Sequence, residues 1–473
     1  MLFNSFSFVA FFVVVTSLFF AMPHRLRWLM LLLASCYFYM CFVPIYILIL
    51  ALTIIIDYAA AIWIEDTSDP RRKKLFLILS IVSVCAILFV FKYFNFFNDN
   101  FAALAAALHW NYPIEALRIA LPIGLSFHTF QSLSYVIEVY RGRQKAERHF
   151  GIYALFVMYF PQLVAGPIER PQNLLHQFYE RKYFDLSRLE SGLTLMLWGL
   201  FKKVVVADSL SVYVDTIYNN SSHHNGATLL LATYCFAFQI YCDFSGYSDI
   251  ARGVSRIYGI ELMKNFDAPY FSRSISEFWT RWHISLSTWF RDYVYIPLGG
   301  NRVSLPRNAL NLMIIFLLSG FWHGANWTFI IWGALHGMYL IIERLLKSAR
   351  EWLGIVPSQK AGLVRSGLRI LLVFHLVLVA WVFFRATDVS TALDIVRRIL
   401  IPTGPIFFDA ILVQCALGVG IVIVADWISR QTDYWDNLDR YPVSLRYATC
   451  IAMLFGISLL GVERGSQFIY FQF

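Results

Sequence analysis

The sequence predicts an all-α polytopic membrane protein, with about eleven to thirteen transmembrane or re-entrant helices. Three observations predict it. Of 473 residues, 59% are hydrophobic and only 15% are charged, against about 45–50% apolar and about 25% charged in a soluble domain. Aromatic residues reach 18%, a load that disordered or low-complexity chains do not carry. Apolar runs of spanning length, about 20 residues for a hydrocarbon core of about 30 Å, recur along nearly the whole chain.

The runs follow in order. Residues 2–21 (LFNSFSFVAFFVVVTSLFFA) lack the basic start of a signal peptide, and Arg25 and Arg27 come after them, so they are expected to form a first spanning helix. Residues 28–64 suffice for two passes turning near Pro44. Further spans are expected near 75–94, 117–139, 150–166, 190–206 and 227–245, then 308–322, 326–342, 367–384, 407–425 and 446–462. Basic clusters at Arg25/Arg27, at 71–74 and at Arg141/Arg143/Lys145/Arg148 alternate with turns nearly free of Lys and Arg. By the positive-inside rule this places the N-terminus outside. After residue 150 the alternation blurs, because Arg170, Lys182, Lys202 and Lys203 crowd together, and re-entrant segments would explain that.

The net charge of +9 reads as basic cytoplasmic loops and does not point to nucleic acid. The seven cysteines form no C-x-x-C pair and lie mostly in apolar runs, so neither a disulfide framework nor a zinc site is expected. No linker, soluble extension or tandem repeat breaks the chain. One membrane-embedded domain over 1–473 is expected.

Polar residues concentrate between 239 and 340. In 239–249 (QIYCDFSGYSD), Asp243 and Asp249 stand in apolar context, where ionisable groups face a cavity or a partner. The structural reading is that they cap or cross-link helices around Gly246. In 274–292, a helical winding of about 100° per residue puts Ile275, Trp279, Trp282, His283, Leu286 and Phe290 on one stripe of an amphipathic helix. The apolar run 312–322 is only about eleven residues, roughly 17 Å at 1.5 Å per residue. Trp322-His323-Gly324 interrupts it, which is expected to set His323 near mid-membrane. An imidazole there would line a cavity or bind something, and general acid–base work suits it. His336 and His128 read as helix-packing histidines.

Trp322-His323-Gly324 after a short hydrophobic helix, with Trp282-His283 forty residues upstream, resembles the membrane-bound O-acyltransferase family. That family pairs an intramembrane histidine, matched by His323, with an Asn, Asp or His about forty residues earlier, matched by His283. The stretches 121–128 (LPIGLSFH), 160–169 (FPQLVAGPIE), 239–249 and 290–302 (FRDYVYIPLGGNR) resemble its bacterial alginate O-acetylase branch. The family-like core covers about 1–345, followed by C-terminal helices over 346–473.

The resemblance implies a bowl of helices around a central intramembrane active site, with His323 and His283 catalytic. It implies O-acetylation of an exopolysaccharide, alginate foremost, from cytoplasmic acetyl-CoA as a substrate and with no permanently bound cofactor. The same branch acetylates cellulose or peptidoglycan, and a cousin exports D-alanine to teichoic acids. Expected partners are a periplasmic acetyl-hydrolase-like transferase and the polysaccharide synthesis and export complex, at a Gram-negative inner membrane. From another class, a lipid-linked sugar transporter or flippase would also suit buried Asp243, Asp249 and His323, but no inverted repeat supports it. The sequence holds neither a G-x-S-x-G elbow nor an H-E-x-x-H metal motif.

Overall fold

The computed structural model describes residues 1–354, 362–462 and 468–469. Among them every regular element is helical, and the chain divides into two compact units. The first comprises Met1–Leu193 and Ile250–Met263, the second Thr194–Asp249 and Lys264–Phe473.

The first unit begins with α1 (Phe6–Ala21), α2 (His24–Met40) and α3 (Ile47–Asp66), the last entered through a turn at Pro44 as expected. Next, α4 (Pro70–Leu88) opens on a proline, with Asp69 accepting the Arg71 N–H as N-cap. It passes through a π-turn into α5 (Phe94–Ala107). On α3, Asp57 accepts a 2.5 Å hydrogen bond from Ser80 of α4, giving a buried carboxylate a partner across the helix pair. The span expected from 117 starts late, as α6 (Leu125–Tyr140), because Pro113, Pro122 and the left-handed Gly124 (φ 77°) hold the preceding chain out of helix.

The run expected over 150–166 is helical only in α7 (Phe150–Met158): the chain leaves the helix at Tyr159 (φ −51°, ψ 110°), ahead of Pro161, which has no N–H to continue the helical bonding. Residues 159–169 continue as buried, largely irregular chain. Protein surrounds it, the condition under which such backbone is tolerated inside a membrane protein. Ser35 accepts the Phe160 N–H at 3.0 Å, and Glu169 accepts the Met263 N–H at 2.6 Å. The short α8 (Pro171–Leu174) and the start of α9 (Leu186–Leu200) complete this part of the unit.

In the second unit the helix of α9 runs on through a π-segment at Phe201–Ala207 into α10 (Asp208–Tyr218). Then α11 (Gly226–Ile257) follows, in this unit as far as Asp249; it is largely buried, whereas the late helix α19 (Val443–Leu460) is largely exposed. The amphipathic helix expected over 274–292 is instead two short helices, α12 (Ile275–Arg281) and α13 (Ile284–Phe290), broken at His283. The hairpin of α14 (Leu305–His323) and α15 (Trp327–Trp352) comes next. The remaining helices are α16 (Leu363–Arg385), α17 (Val389–Ile399) and α18 (Ile411–Thr432), ahead of α19.

Eight helices among the described residues are long and apolar enough to cross a membrane by length and composition, and α1 is a shorter apolar one. One of the eight is α14, which corrects the half-length expectation: it begins at Leu305, not Leu312, and its 19 residues rise about 28 Å. Asn308 and Asn311 enter the helix because their amides donate to the Gly300 and Leu298 carbonyls at 2.8 and 3.0 Å. The length of the apolar run therefore does not fix the depth of His323.

Candidate active site

His323 is the last residue of α14. Only the link 324–326 separates it from α15, where Asn326 accepts the Thr328 N–H as N-cap. The two helices approach closely because glycines face each other: a Cβ on Gly333 would collide with the Phe316 carbonyl and stand 3.3 Å from the Gly320 Cα. His323 is 5% exposed. Trp322, Trp332 and Phe384 surround it, with ring centroids at 4.8, 4.9 and 5.3 Å.

His283 lies between α12 and α13 with a left-handed backbone, φ 44°. Histidine is among the few non-glycine residues enriched there, and such conformations persist only where the surroundings enforce them. Asn265 does so: its carbonyl accepts the Ile284 N–H at 2.9 Å, and its side-chain oxygen accepts the N–H and hydroxyl of Ser285 at 3.1 and 2.9 Å. The His283 ring packs edge-on against Phe244 at 4.6 Å and lies 6.3 Å from Trp322. One indole, Trp322, thus neighbours both histidines.

A cavity of about 1140 Å³ runs past Ile284, next to His283 in the chain, and past Ser319; neither histidine lines it. Its inner wall includes Trp279, Phe316 and Ser319, the last one helical turn before His323. Its lining carries Arg273, Arg291, Arg344, Lys347, Arg350 and Arg369, with Glu343 as the acid among them. An apolar interior with clustered cations suits a long ligand whose polyanionic end stays outside.

Asp243 and Asp249 do not join the histidines but cross-link helices. Lys203 pairs with Asp243 and Asp208 at 2.6 and 2.8 Å, and Lys202 pairs with Asp249 at 2.6 Å. The basic crowding after residue 150 is thus partly a buried ionic cluster. His336 is a packing histidine, fully buried, whose Nδ1 accepts the Trp279 indole N–H at 3.3 Å. His128 is buried on α6 in the first unit. No group of three or more His, Cys, Asp or Glu among the described residues could hold a metal ion.

Residues 148–383 match the model of the membrane-bound O-acyltransferase family. A probable alginate O-acetylase of Azotobacter vinelandii is 41% identical over 79% of this chain and 73% of its own length. Its counterpart in Pseudomonas aeruginosa is 40% identical over 80% and 71%. A peptidoglycan O-acetyltransferase of Helicobacter pylori is 36% identical over 78% and 73%. The chain belongs to the membrane-bound O-acyltransferase family. It is therefore a multi-pass membrane acyltransferase, as its sequence motifs implied. The matched region takes in both histidines, Asn265 and all six of the cavity's cations. Asn265 and the convergence of those cations escaped the sequence reading: Asn265 lies in none of the quoted stretches, and of the cations only Arg291 does, in 290–302. The cations stand on four separate parts of the chain and converge only in the fold.

Proposed function

We propose that this protein takes an acetyl group from cytoplasmic acetyl-CoA and moves it across the inner membrane for O-acetylation of an exopolysaccharide, alginate foremost. What carries the reading is the pairing of His283 and His323 about Trp322, in a family member whose relatives are named for alginate O-acetylation. The cavity supports the donor assignment: its volume of about 1140 Å³ is just above the usual range of about 300–1,000 Å³, room for pantetheine inside with the CoA phosphates on the cations.

In this reading the acceptor hydroxyl meets the thioester at His323. Neutral His323 removes the hydroxyl proton as the oxygen attacks the carbonyl carbon. The new C–O bond forms, the C–S bond breaks, and the imidazolium returns its proton to the leaving thiolate. His283 orients the thioester or polarises its carbonyl as a donor. The N-terminus faces the periplasm, by the distribution of basic residues. Both compact units serve one acyltransferase domain, and a periplasmic acetyl-hydrolase-like transferase with the polysaccharide export machinery completes delivery.

The test is thiol release from acetyl-CoA by the purified protein in lipid nanodiscs, with alginate oligosaccharide, peptidoglycan fragments or neither, beside His323→Ala and His283→Ala. Alginate-dependent release that His323→Ala loses, by about 10²–10⁴-fold, is expected. Equal release from wild type and His323→Ala would remove the histidine from the chemistry. Release stimulated by peptidoglycan fragments alone would reassign the acceptor.

A further inference from the structure

Three side chains of α15 share one face: Trp332, His336 and Glu343, at steps of four and seven residues. Each grips the segment carrying one of the two histidines. Trp332 packs against the His323 ring at 4.9 Å and against Trp279 at 5.8 Å. Glu343 accepts the N–H groups of Ile275 and Ser276 at 2.9 and 3.3 Å, at the start of α12. Between them, His336 meets the other end of α12. Its Nδ1 accepts the Trp279 indole N–H at 3.3 Å, and its ring lies nearly parallel to Phe278 (3°, 6.2 Å). Phe278 in turn stacks on Trp282 at 5.6 Å, the residue before His283.

We propose that His336 is a positioning residue that holds the Trp282–His283 break in register with His323. The inference rests on the proposed roles of those two histidines. Its hydrogen bond fixes the rotation of α12 about its own axis, which decides where the left-handed His283 points. With Nδ1 as acceptor, the His336 proton sits on Nε2, so the ring works here as a neutral acceptor and takes no part in proton transfer. The bond joins the fully buried His336 to the half-buried Trp279, and its loss removes the protein acceptor of the Trp279 indole N–H.

The test compares His336→Phe, which keeps a flat ring but removes the acceptor, with His336→Asn, whose amide oxygen falls near the lost Nδ1. Both are run with Trp279→Phe and the Trp279→Phe/His336→Phe double variant, in nanodiscs with acetyl-CoA. Misplacement of reacting groups by about 1 Å costs about 10²-fold in rate. His336→Phe should therefore lower kcat by about that factor while KM for acetyl-CoA stays within about twofold, and His336→Asn should recover most of it. The double variant should be no worse than the worse single one. Unchanged kcat in His336→Phe, no recovery in His336→Asn, or multiplicative losses in the double variant would each overturn the proposal. His323→Ala in the same series separates the two readings. Full activity there would end the catalytic assignment, whereas its loss beside an unaffected His336→Phe would end the positioning role alone.

Discussion

Two buried polar regions of the second unit, the ionic cluster of α9–α11 and the histidine pair, handle the same problem in opposite ways. In the cluster, Lys203 sits between Asp243 and Asp208, and the Asp243 carboxylate also accepts the Ile469 N–H at 2.7 Å. Lys202 pairs with Asp249 and donates to Ser245, and Tyr241 donates to Asp426 at 2.8 Å. Around His283 and His323, rings at 4.6–5.3 Å make the wall. Charges neutralised at ion-pair distance are locked and hold helices together. In the proposed mechanism the neutral imidazole among aromatic faces takes the acceptor's proton and returns it to the leaving thiolate within one turnover. Intramembrane polarity alone therefore does not mark chemistry, and the identity of the neighbours does.

The sharpest way to break this comparison is to remove one member from each side. His323→Ala should abolish acceptor-dependent thiol release, as above, with little change in melting temperature. Lys203→Met should do the reverse: it leaves Asp208 and Asp243 side by side and buried, a loss of about 3–5 kcal/mol, seen as a steep drop in the yield of monodisperse protein. A smaller effect probes the hairpin that carries His323. Gly333→Ala drives a Cβ into the Phe316 carbonyl, which should cost about 1–3 kcal/mol by thermal melting.

The smallest effect lies in the first unit. Burial pushes the Glu169 carboxyl up to about 7 from its ordinary 4.5, opposed by the Met263 N–H and by Arg170 and Arg252. The folded state thus keeps a proton that the unfolded state gives up. Stability from Glu169 is full below about pH 4.5, falls as pH rises toward about 7 and is level beyond. Glu169→Gln should flatten that part of the melting-temperature profile, and an unchanged profile would mean that another group titrates there.

Much of this was legible in the sequence. Composition and apolar runs predict an all-helical membrane chain, and the runs over 227–245, 326–342 and 367–384 coincide with α11, α15 and α16. Proline chemistry decided the misses. Pro113 and Pro122 delayed α6, and Pro161 ended α7 early, effects that hydropathy does not weigh. The break at His283 was invisible because periodicity continues through it: the residues on both sides keep a single stripe, while Asn265, eighteen residues earlier, forces the left-handed turn. The cluster was half visible. Asp243 and Asp249 stood out, but their partners Lys203 and Lys202 lay 40 and 47 residues away and read as part of the blurred basic alternation that re-entrant segments would explain.

The most direct test measures both sides of the comparison on the same preparations. Thiol release from acetyl-CoA and melting temperature would be recorded for wild type, His323→Ala and Lys203→Met in nanodiscs. A stable, inactive His323→Ala beside an unstable Lys203→Met, whose surviving folded fraction still turns over, is the predicted result. An active His323→Ala, or a Lys203→Met that is fully stable yet inactive, would contradict it by moving the chemistry from the histidines to the ionic cluster.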